Sequence, residues 1–290
     1  MIDLHTHSTT SDGTDTPGEL IVNAVKAGIH TLALTDHDTA AGWDAASEAV
    51  RALSVPFTLI RGTEFSCVYY TAEGTRIGLH LLGYLYDPTA PELKAERARL
   101  RENRLGRGER IVSNLANAGY PIDWQQVTEI AAGGVVGRPH IGQALVASGV
   151  VPSVNEAFAE LLHNRSPYYV PKEDMAVREA IGLIRRAGGV PVIAHPWARK
   201  RGKILSEQAL SELGEAGLLG IEVDHPDHVP EDRHRLAQIA GELGLLTTGS
   251  SDYHGTNKAV PLGAERTRPE ELERLIEQAA GIEPIRSAAR

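Results

Sequence analysis

A single cysteine, Cys67, occurs in the 290-residue chain. No intrachain disulfide can staple the fold, so its stability has to come from a packed core. A basic stretch leading into an apolar run is missing after the first methionine, where Asp3 and His5 follow at once. Secretion is therefore not expected, and the implied location is cytoplasmic. No apolar run approaches the roughly 18 residues that would suggest a membrane span. Basic charge is not in excess either, since 29 Lys and Arg stand against 38 Asp and Glu for a formal net charge of -9. That balance argues against sequence-independent binding of duplex DNA, which draws on a basic surface and counterion release. A local basic pocket remains compatible with it. Internal repeats and low-complexity segments are absent, and nothing implies an obligate protein partner. What the chain does have is histidine, 12 residues of it, in a pattern that can be tested for metal-ligand logic.

The length suits one large α/β domain or a main domain carrying a smaller one. Residues 19–28, 30–36, 40–53 and 56–61 read as helix, strand, helix and strand, the alternation that builds parallel βαβ units. Glu64–Tyr70 and Arg76–Tyr86, either side of Ala72-Glu73-Gly74, read as a local hairpin. After Asp87-Pro88 the composition changes to a charged helical stretch, 92–118, followed by helical segments near 124–131, 139–148 and 153–162. From about residue 176 the alternation resumes, with strands at Val190–Ala194, Gly220–Val223 and Leu245–Thr248 and helices over 176–187, 205–216, 231–243 and 269–280. The end after Pro284 reads as a frayed tail.

Asp3-Leu4-His5-Thr6-His7 opens the chemistry. On an extended segment, positions two apart share a face, so His5 and His7 can hold one ion together. Taken alone, the pair also reads as two exposed polar residues. Further acids and imidazoles then recur at predicted strand ends: Asp12 shortly after, His37 in Thr35-Asp36-His37-Asp38, Glu64 after Gly62-Thr63, His195 in Ala194-His195-Pro196, and Asp252 with His254 in Ser251-Asp252-Tyr253-His254. His80 interrupts an otherwise apolar strand, where a buried imidazole needs a partner. Independent core histidines have no reason to gather at one end of successive strands, the edge at which parallel α/β folds place active sites. Mixed imidazole and carboxylate ligands suit manganese, iron or zinc rather than an all-oxygen cation. Cys67 reads as a small packed residue beside the site.

Together His5-x-His7, Asp12, His37, Glu64, His80, His195 and Asp252-x-His254 resemble the metal motif of the polymerase and histidinol phosphatase (PHP) superfamily at all nine of its positions. The resemblance covers residues 1–86 and about 174–290. It implies an α/β fold, a distorted (β/α)7 barrel of PHP type formed by 1–88 and 173–290, with 89–172 as an inserted helical domain. It also implies two to three divalent transition-metal ions, manganese first, with iron or zinc as alternatives. By the same resemblance one ion takes His5, His7, Glu64 and Asp252, a second shares Glu64 and adds His80 and His195, and a third uses Asp12, His37 and His254.

Two ions about 3.5–4 Å apart can lower the pKa of a shared water toward about 7, which removes the need for a serine or cysteine nucleophile. Hydrolysis of a phosphate monoester follows most naturally. Asp12, His37, His195 and His254 are the catalytic candidates, the leaving-group proton being open between His195, His254 and a water beside Asp12. For substrate, Arg104 and Arg107 share a helix face, although such a run also reads as a solvated surface. Gly137-Arg138-Pro139-His140 places Arg138, His140 and free backbone N–H groups at a helix start suited to phosphate. Lys172 in the return linker, Arg199 and His228 are further contacts to consider, while His30, His163 and His234 read as surface or packing residues. Within the superfamily the insertion and its Gly-Arg-Pro-His element resemble the branch containing nucleoside 3′,5′-bisphosphate phosphatases and short-RNA 5′ exonucleases. The expected substrate is accordingly a small phosphorylated nucleotide or short oligonucleotide. A histidinol-phosphate phosphatase, a non-phosphate amidohydrolase and a noncatalytic PHP binding module are the alternatives.

Overall fold

The computed structural model describes residues 1–288. In chain order the elements are β1 (Ile2–Thr6), α1 (Pro17–Lys26), β2 (Thr31–Leu34), α2 (Trp43–Arg51), β3 (Thr58–Tyr70), β4 (Arg76–Tyr84), α3 (Pro91–Asn117), α4 (Trp124–Ile130), α5 (Arg138–Ala147) and α6 (Val154–Glu160). They continue with β5 (Met175–Ala176), α7 (Val177–Arg186), β6 (Val190–Ala194), α8 (Glu207–Glu215), β7 (Gly220–Asp224), α9 (Pro230–Glu242), β8 (Leu246–Gly249), α10 (Pro269–Gln278) and β9 (Ile285–Arg286). No helix among the described residues is long and apolar enough to cross a membrane.

Seven strands run in the order β1-β2-β3-β4-β6-β7-β8. A parallel bridge between Thr6 and Tyr253 draws the two edges together, with the His7 amide donating to the Tyr253 carbonyl at 2.9 Å. The result is a nearly closed barrel. β1, β2 and β6 are buried at every position, as expected of strands with helices on one face and a filled barrel interior on the other. α1 shows how the sequence sets such a layer. Thr16 and Glu19 cap its first turn reciprocally, Pro17 fits the position where no N–H is needed, and Leu20, Ile21 and Ala24 turn inward.

The distortion has a local cause. The hairpin at residues 71–75, where Thr71 and Thr75 pair and Gly74 takes φ of 78°, reverses the chain, so β4 runs antiparallel to both β3 and β6. This changes the expectation for Gly62-Thr63-Glu64. The predicted strand at 56–61 does not end there but continues to Tyr70, because β4 offers the second half of β3 a partner, and Glu64 sits in mid-strand opposite Leu82. The expected frayed tail is also corrected. Residues 285 and 286 form β9, which pairs with Leu59 and Thr58 of β3, and Ser287 donates to Phe57; Ala289 and Arg290 lie outside the described residues.

α3 spans 27 residues and serves two cores. Leu93 and Leu100 pack with the layer of apolar side chains between barrel and helices. Ile111, Val112 and Leu115 pack instead with Val127, Ile141, Leu145 and Leu162 of α4–α6 and the segment after them, a separate hydrophobic cluster. Arg104 and Arg107 fall in the stretch between the two. The helical block is seated on the barrel mouth, where the Val135 amide donates to Thr10 and a Cβ on Gly134 would lie 2.4 Å from the Thr9 carbonyl oxygen.

Candidate metal centre

The barrel delivers nine side chains to one place. His5 lies on β1 and His7 just beyond it, Asp12 in the following loop, His37 after β2, His195 after β6, and Asp252 and His254 after β8. Glu64 and His80 come from the middles of β3 and β4, and the register that sets His80 opposite Ala194 brings it beside His195. Glu64 is the hub. His5 Nε2, His7 Nε2 and His37 Nδ1 lie 3.2, 3.2 and 3.1 Å from its Oε2, and His80 Nδ1 and His195 Nε2 lie 2.7 and 3.1 Å from its Oε1. Asp252 Oδ1 stands 3.5 Å from His5 Nε2 and 3.3 Å from His7 Nε2, while Asp12 Oδ1 stands 3.3 Å from His254 Nε2. Three subsets bring their ligand atoms within 4.8 Å of one another: His5, His7, Glu64 and Asp252; His7, Asp12, His37 and His254; and His37, Glu64 and His80. The first is the set the resemblance implies for one ion. The others add His7 to the Asp12 group and place His37 with Glu64 and His80.

The donor set fits metal ions on its own chemistry. His5 Nε2, His7 Nε2, His37 Nδ1 and His80 Nδ1 are buried nitrogens with no hydrogen-bond partner, an arrangement that costs free energy unless something else occupies their lone pairs. Their orientation is fixed from behind. Glu222, fully buried, accepts from His5 Nδ1 at 3.0 Å and from the His195 amide at 2.8 Å, and Ser250 Oγ also donates to it. With the proton on Nδ1, His5 presents an unprotonated Nε2 to the cluster. His254 repeats the device, its Nδ1 donating to the Asp252 carbonyl at 2.8 Å. Asp3 ties the β8 loop to β1 through the Ser251 amide and hydroxyl, and Asp36 ties the loop before Asp12 to β2 through Ser8 and Ser11. A Cβ on Gly13 would meet the His7 carbonyl oxygen at 2.4 Å, so that loop can close only on glycine.

Electrostatics divide the cluster. Burial opposes charge on His5 and His7, yet the surrounding carboxylates raise both imidazoles, His7 to about 9, so each would shed a proton on binding a metal ion. Glu64, His195 and His254 already stand in the ligating form. Burial opposes ionisation of Glu64, yet the His80, His37 and His5 imidazoles around it hold its carboxyl well below the usual range. Burial, reinforced by Arg201, pushes His195 down to about 3, and burial with the neighbouring His7 brings His254 to about 4. Both imidazoles are neutral at pH 7, as ligation demands. The backbone is strained at the same spots: Asp38, His195 and Asp252 have φ of 55°, 29° and 52°, values that side-chain-bearing residues adopt only where surrounding contacts impose them.

With the geometry established, the relatives are informative. The family described as PHP domain matches residues 3–129. A 3′,5′-nucleoside bisphosphate phosphatase of Chromobacterium violaceum is 35% identical over 259 residues, covering 87% of this chain and 87% of its own. The chain belongs to the PHP family. The 5′-3′ exoribonuclease Rnm of Salmonella typhimurium is 31% identical over 273 residues, 94% of this chain and 92% of its own. A crystal structure of a candidate metal-dependent phosphoesterase from Bifidobacterium adolescentis superposes with a TM-score of 0.90 at 37% identity, covering 96% of each chain. This PHP protein is accordingly a metal-dependent hydrolase of phosphate esters, built on an α/β barrel.

Beside the PHP cluster lies a narrow cleft in which the cations Arg104, Arg107 and Lys172 stand among the carboxylates of Asp38, Glu173 and Asp174, with Ser66 also in the lining. Arg104 bonds Asp38 through Nε and Ser66 Oγ through Nη2 at 2.6 Å, and Lys172 Nζ reaches the same hydroxyl at 3.2 Å. Arg107 Nε donates to the Val170 carbonyl at 2.7 Å, but its Nη2 is buried without a partner. Burial and the neighbouring Arg138 bring Arg107 down to about 10, and burial with Arg104 brings Lys172 to about 8. The remaining candidates are placed differently. Arg138 donates to Leu162 and Asn164 and lies over the Phe158 ring, so the insertion itself holds part of its guanidinium. His140, buried at the start of α5, accepts the Gly137 amide on Nδ1. Arg199 points outward, paired with Asp232, and His228 is saturated by Val223 and Trp197.

Sequence reasoning missed Glu222, Asp38, Arg201 and Lys258. Glu222 left a signal, a carboxylate inside the apolar run 220–223 that had to find partners. Asp38 stood next to His37 with nothing to reveal that it faces the cleft. Arg201 Nη2 and Lys258 Nζ bond Asp252 Oδ2 at 2.8 and 2.7 Å from two separate loops, contacts with no local signature.

Proposed function

We propose that the enzyme hydrolyses a nucleotide carrying two phosphates, converting a nucleoside 3′,5′-bisphosphate to the 5′-monophosphate plus phosphate, and that short 5′-phosphorylated RNA is a second substrate. The observation that carries this reading is the pairing of the nine-residue cluster with the cleft through the single step from His37 to Asp38. A phosphate ester bound at the cluster would have its second phosphate within reach of Arg104, Arg107 and Lys172. The unpaired Arg107 Nη2 asks for an anionic acceptor, and a phosphate would also relieve the mutual repulsion of the three cations.

In this reading residues 89–172 select substrate while the barrel, 1–88 and 173–290, holds His5, His7, Asp12, His37, Glu64, His80, His195, Asp252 and His254 as ligands of two to three ions, manganese first. Such ions supply an ionised water at neutral pH and neutralise charge on the phosphoryl oxygens. His195 Nε2 and His254 Nε2 face Glu64 and Asp12, which supports reading them as ligands. The proton for the leaving oxygen then falls to a water held by Asp12, which at 6% exposure is the most accessible carboxylate of the cluster. Arg138 and His140 shape the insertion side of the pocket. The alternative, histidinol phosphate, is disfavoured because it carries a single phosphate, which leaves the buried Arg107 Nη2 without an acceptor. Small soluble nucleotides also suit a cytoplasmic enzyme.

The test is phosphate release from adenosine 3′,5′-bisphosphate, 5′-phosphorylated RNA and histidinol phosphate by protein reconstituted with Mn²⁺. Turnover of the first two supports the reading. Turnover confined to histidinol phosphate, or to none of the nucleotides while another phosphate ester is cleaved, would overturn it.

A further inference from the structure

A second group of cations flanks the cluster on another side of the barrel, two of them reaching Asp252. Arg199-Lys200-Arg201-Gly202-Lys203 places four cations in five residues of a chain whose net charge is -9. The segment follows β6 and is exposed throughout. Arg199 and Arg201 are tied down by Asp232, Asp227 and Asp252, whereas Lys200 and Lys203 form no salt bridge among the described residues. Lys258 joins from the loop after β8. Arg201 and Lys258, with side chains 35% and 32% exposed, converge on the outer oxygen of Asp252, whose inner oxygen faces His5 and His7.

The strand order locates the two cationic groups relative to each other. The cleft of Arg104 lies where Asp38, after β2, meets Ser66 of β3, while Arg201 spans the loops after β7 and β8 to reach Asp227 and Asp252. In the circuit β1-β2-β3-β4-β6-β7-β8 these positions are almost diametrically opposed. The metal ligands stand between them. A bisphosphate has phosphates enough for the cleft and the cluster only. A third anionic position across the mouth has a use only if the substrate continues beyond the scissile phosphate.

We infer that the 199–203 segment with Arg201 and Lys258 is a track for the downstream phosphates when the substrate is the short 5′-phosphorylated strand proposed above. The inference rests on the reading of the cleft as the seat of the 5′-phosphate. Water adds to the phosphorus of the first internucleotide linkage, the bond from phosphorus to the 3′ oxygen breaks, and that oxygen takes up a proton. The products are one nucleoside 5′-monophosphate and a strand one residue shorter with a 5′-phosphate of its own. The same bond breaks in a 3′,5′-bisphosphate, and the shortened strand is again a substrate. A single-stranded path fits the chain's charge, since the basic segment is one loop and not a face broad enough for a duplex.

Lys200→Ala/Lys203→Ala tests the track, because neither lysine touches the cluster or the cleft. Binding of a fluorescent 5′-phosphorylated RNA pentanucleotide to the full-length chain in EDTA is followed by anisotropy across a salt series. Turnover of the pentanucleotide and of adenosine 3′,5′-bisphosphate is measured on the Mn²⁺-loaded protein. The double variant is expected to bind the pentanucleotide about tenfold more weakly, with a salt slope shallower by about 1.4, the share of two phosphate contacts on a single strand. Its kcat/KM for the bisphosphate should stay within about twofold of the parent, since that substrate ends at the cluster. Unchanged pentanucleotide affinity and slope overturn the inference, as does a parent protein that binds the pentanucleotide no better than the bisphosphate. If the parent hydrolyses neither nucleotide yet its pentanucleotide binding still depends on the two lysines, the substrate reading fails and the track stands.

Discussion

Glu222 makes no contact with substrate in this reading, yet its replacement by glutamine is expected to empty part of the metal centre. The carboxylate accepts three hydrogen bonds, from His5 Nδ1, Ser250 Oγ and the His195 amide, and is fully buried. Its pKa is held far below normal, because the attraction of His5 outweighs burial. Glutamine has the same shape but only one accepting end. The His195 amide is an obligatory donor, so the side-chain carbonyl must turn to it and the NH₂ group to His5. His5 Nδ1 then has to accept, which moves the ring proton to Nε2, the atom facing Glu64 and Asp252. Loss of such a supporting partner typically lowers metal affinity about 10- to 100-fold, about 1.4 to 2.7 kcal/mol. The assay is metal content at fixed free Mn²⁺, together with ¹⁵N spectra of zinc-loaded protein that report which nitrogen of His5 is protonated. A Glu222→Gln protein that loads metal like the parent and keeps its proton on Nδ1 would refute the reasoning.

Three further outcomes are expected. Arg107→Met should raise KM for the bisphosphate by about tenfold or more, as loss of a charged hydrogen bond costs about 1.5–3 kcal/mol, while metal content is unchanged; Arg138→Ala, whose guanidinium is partly held by Leu162 and Asn164, should cost less, and the reverse order of KM values would show that the anchor is Arg138. Lys172, lowered by burial and Arg104 to about 8, is charged below that pH, so KM should rise as pH passes 8. Because its folded pKa lies below the unfolded value, the unfolded chain binds more protons between about 8 and 10.5, and denaturant titrations should show this lysine's penalty fading across that window; a Lys172→Met protein with the same pH dependence as the parent contradicts the assignment. Finally, ions that satisfy the orphaned imidazoles bind only the folded chain, so Mn²⁺ at about 100 times its Kd should add about 2.7 kcal/mol of stability. A melting temperature indifferent to Mn²⁺ and EDTA would speak against the cluster as a metal centre.

The alternation of strands and helices was legible because each element carries its own period, and the positions gathered around Glu64 are those that recur beside predicted strand ends. Where a feature depended on pairing across the chain, the sequence was silent. β3 continues through Gly62 only because β4 returns alongside it, and β9 is a strand only because Thr58 and Leu59 leave an edge open. Glu222 and His5 are 217 residues apart, and no local pattern links them. The arginines of α3 were visible as a helical face, but whether that face meets solvent or Asp38 is decided by how the helix is seated.

That seating has a metrical consequence. Leu100 is locked into one core and Ile111 into another, and the helix advances about 16 Å from one to the other along a rigid rod. Arg104 and Arg107 are graduations on this rod, read off against the fixed origin of Glu64. Adding one residue to α3 between Leu100 and Arg104 would slide the arginines by about 1.5 Å and swing them by about 100°. With a second phosphate seated in the cleft, as proposed, the helix would work as a ruler for the spacing between two phosphates, its register rather than any one side chain setting which substrates measure correctly.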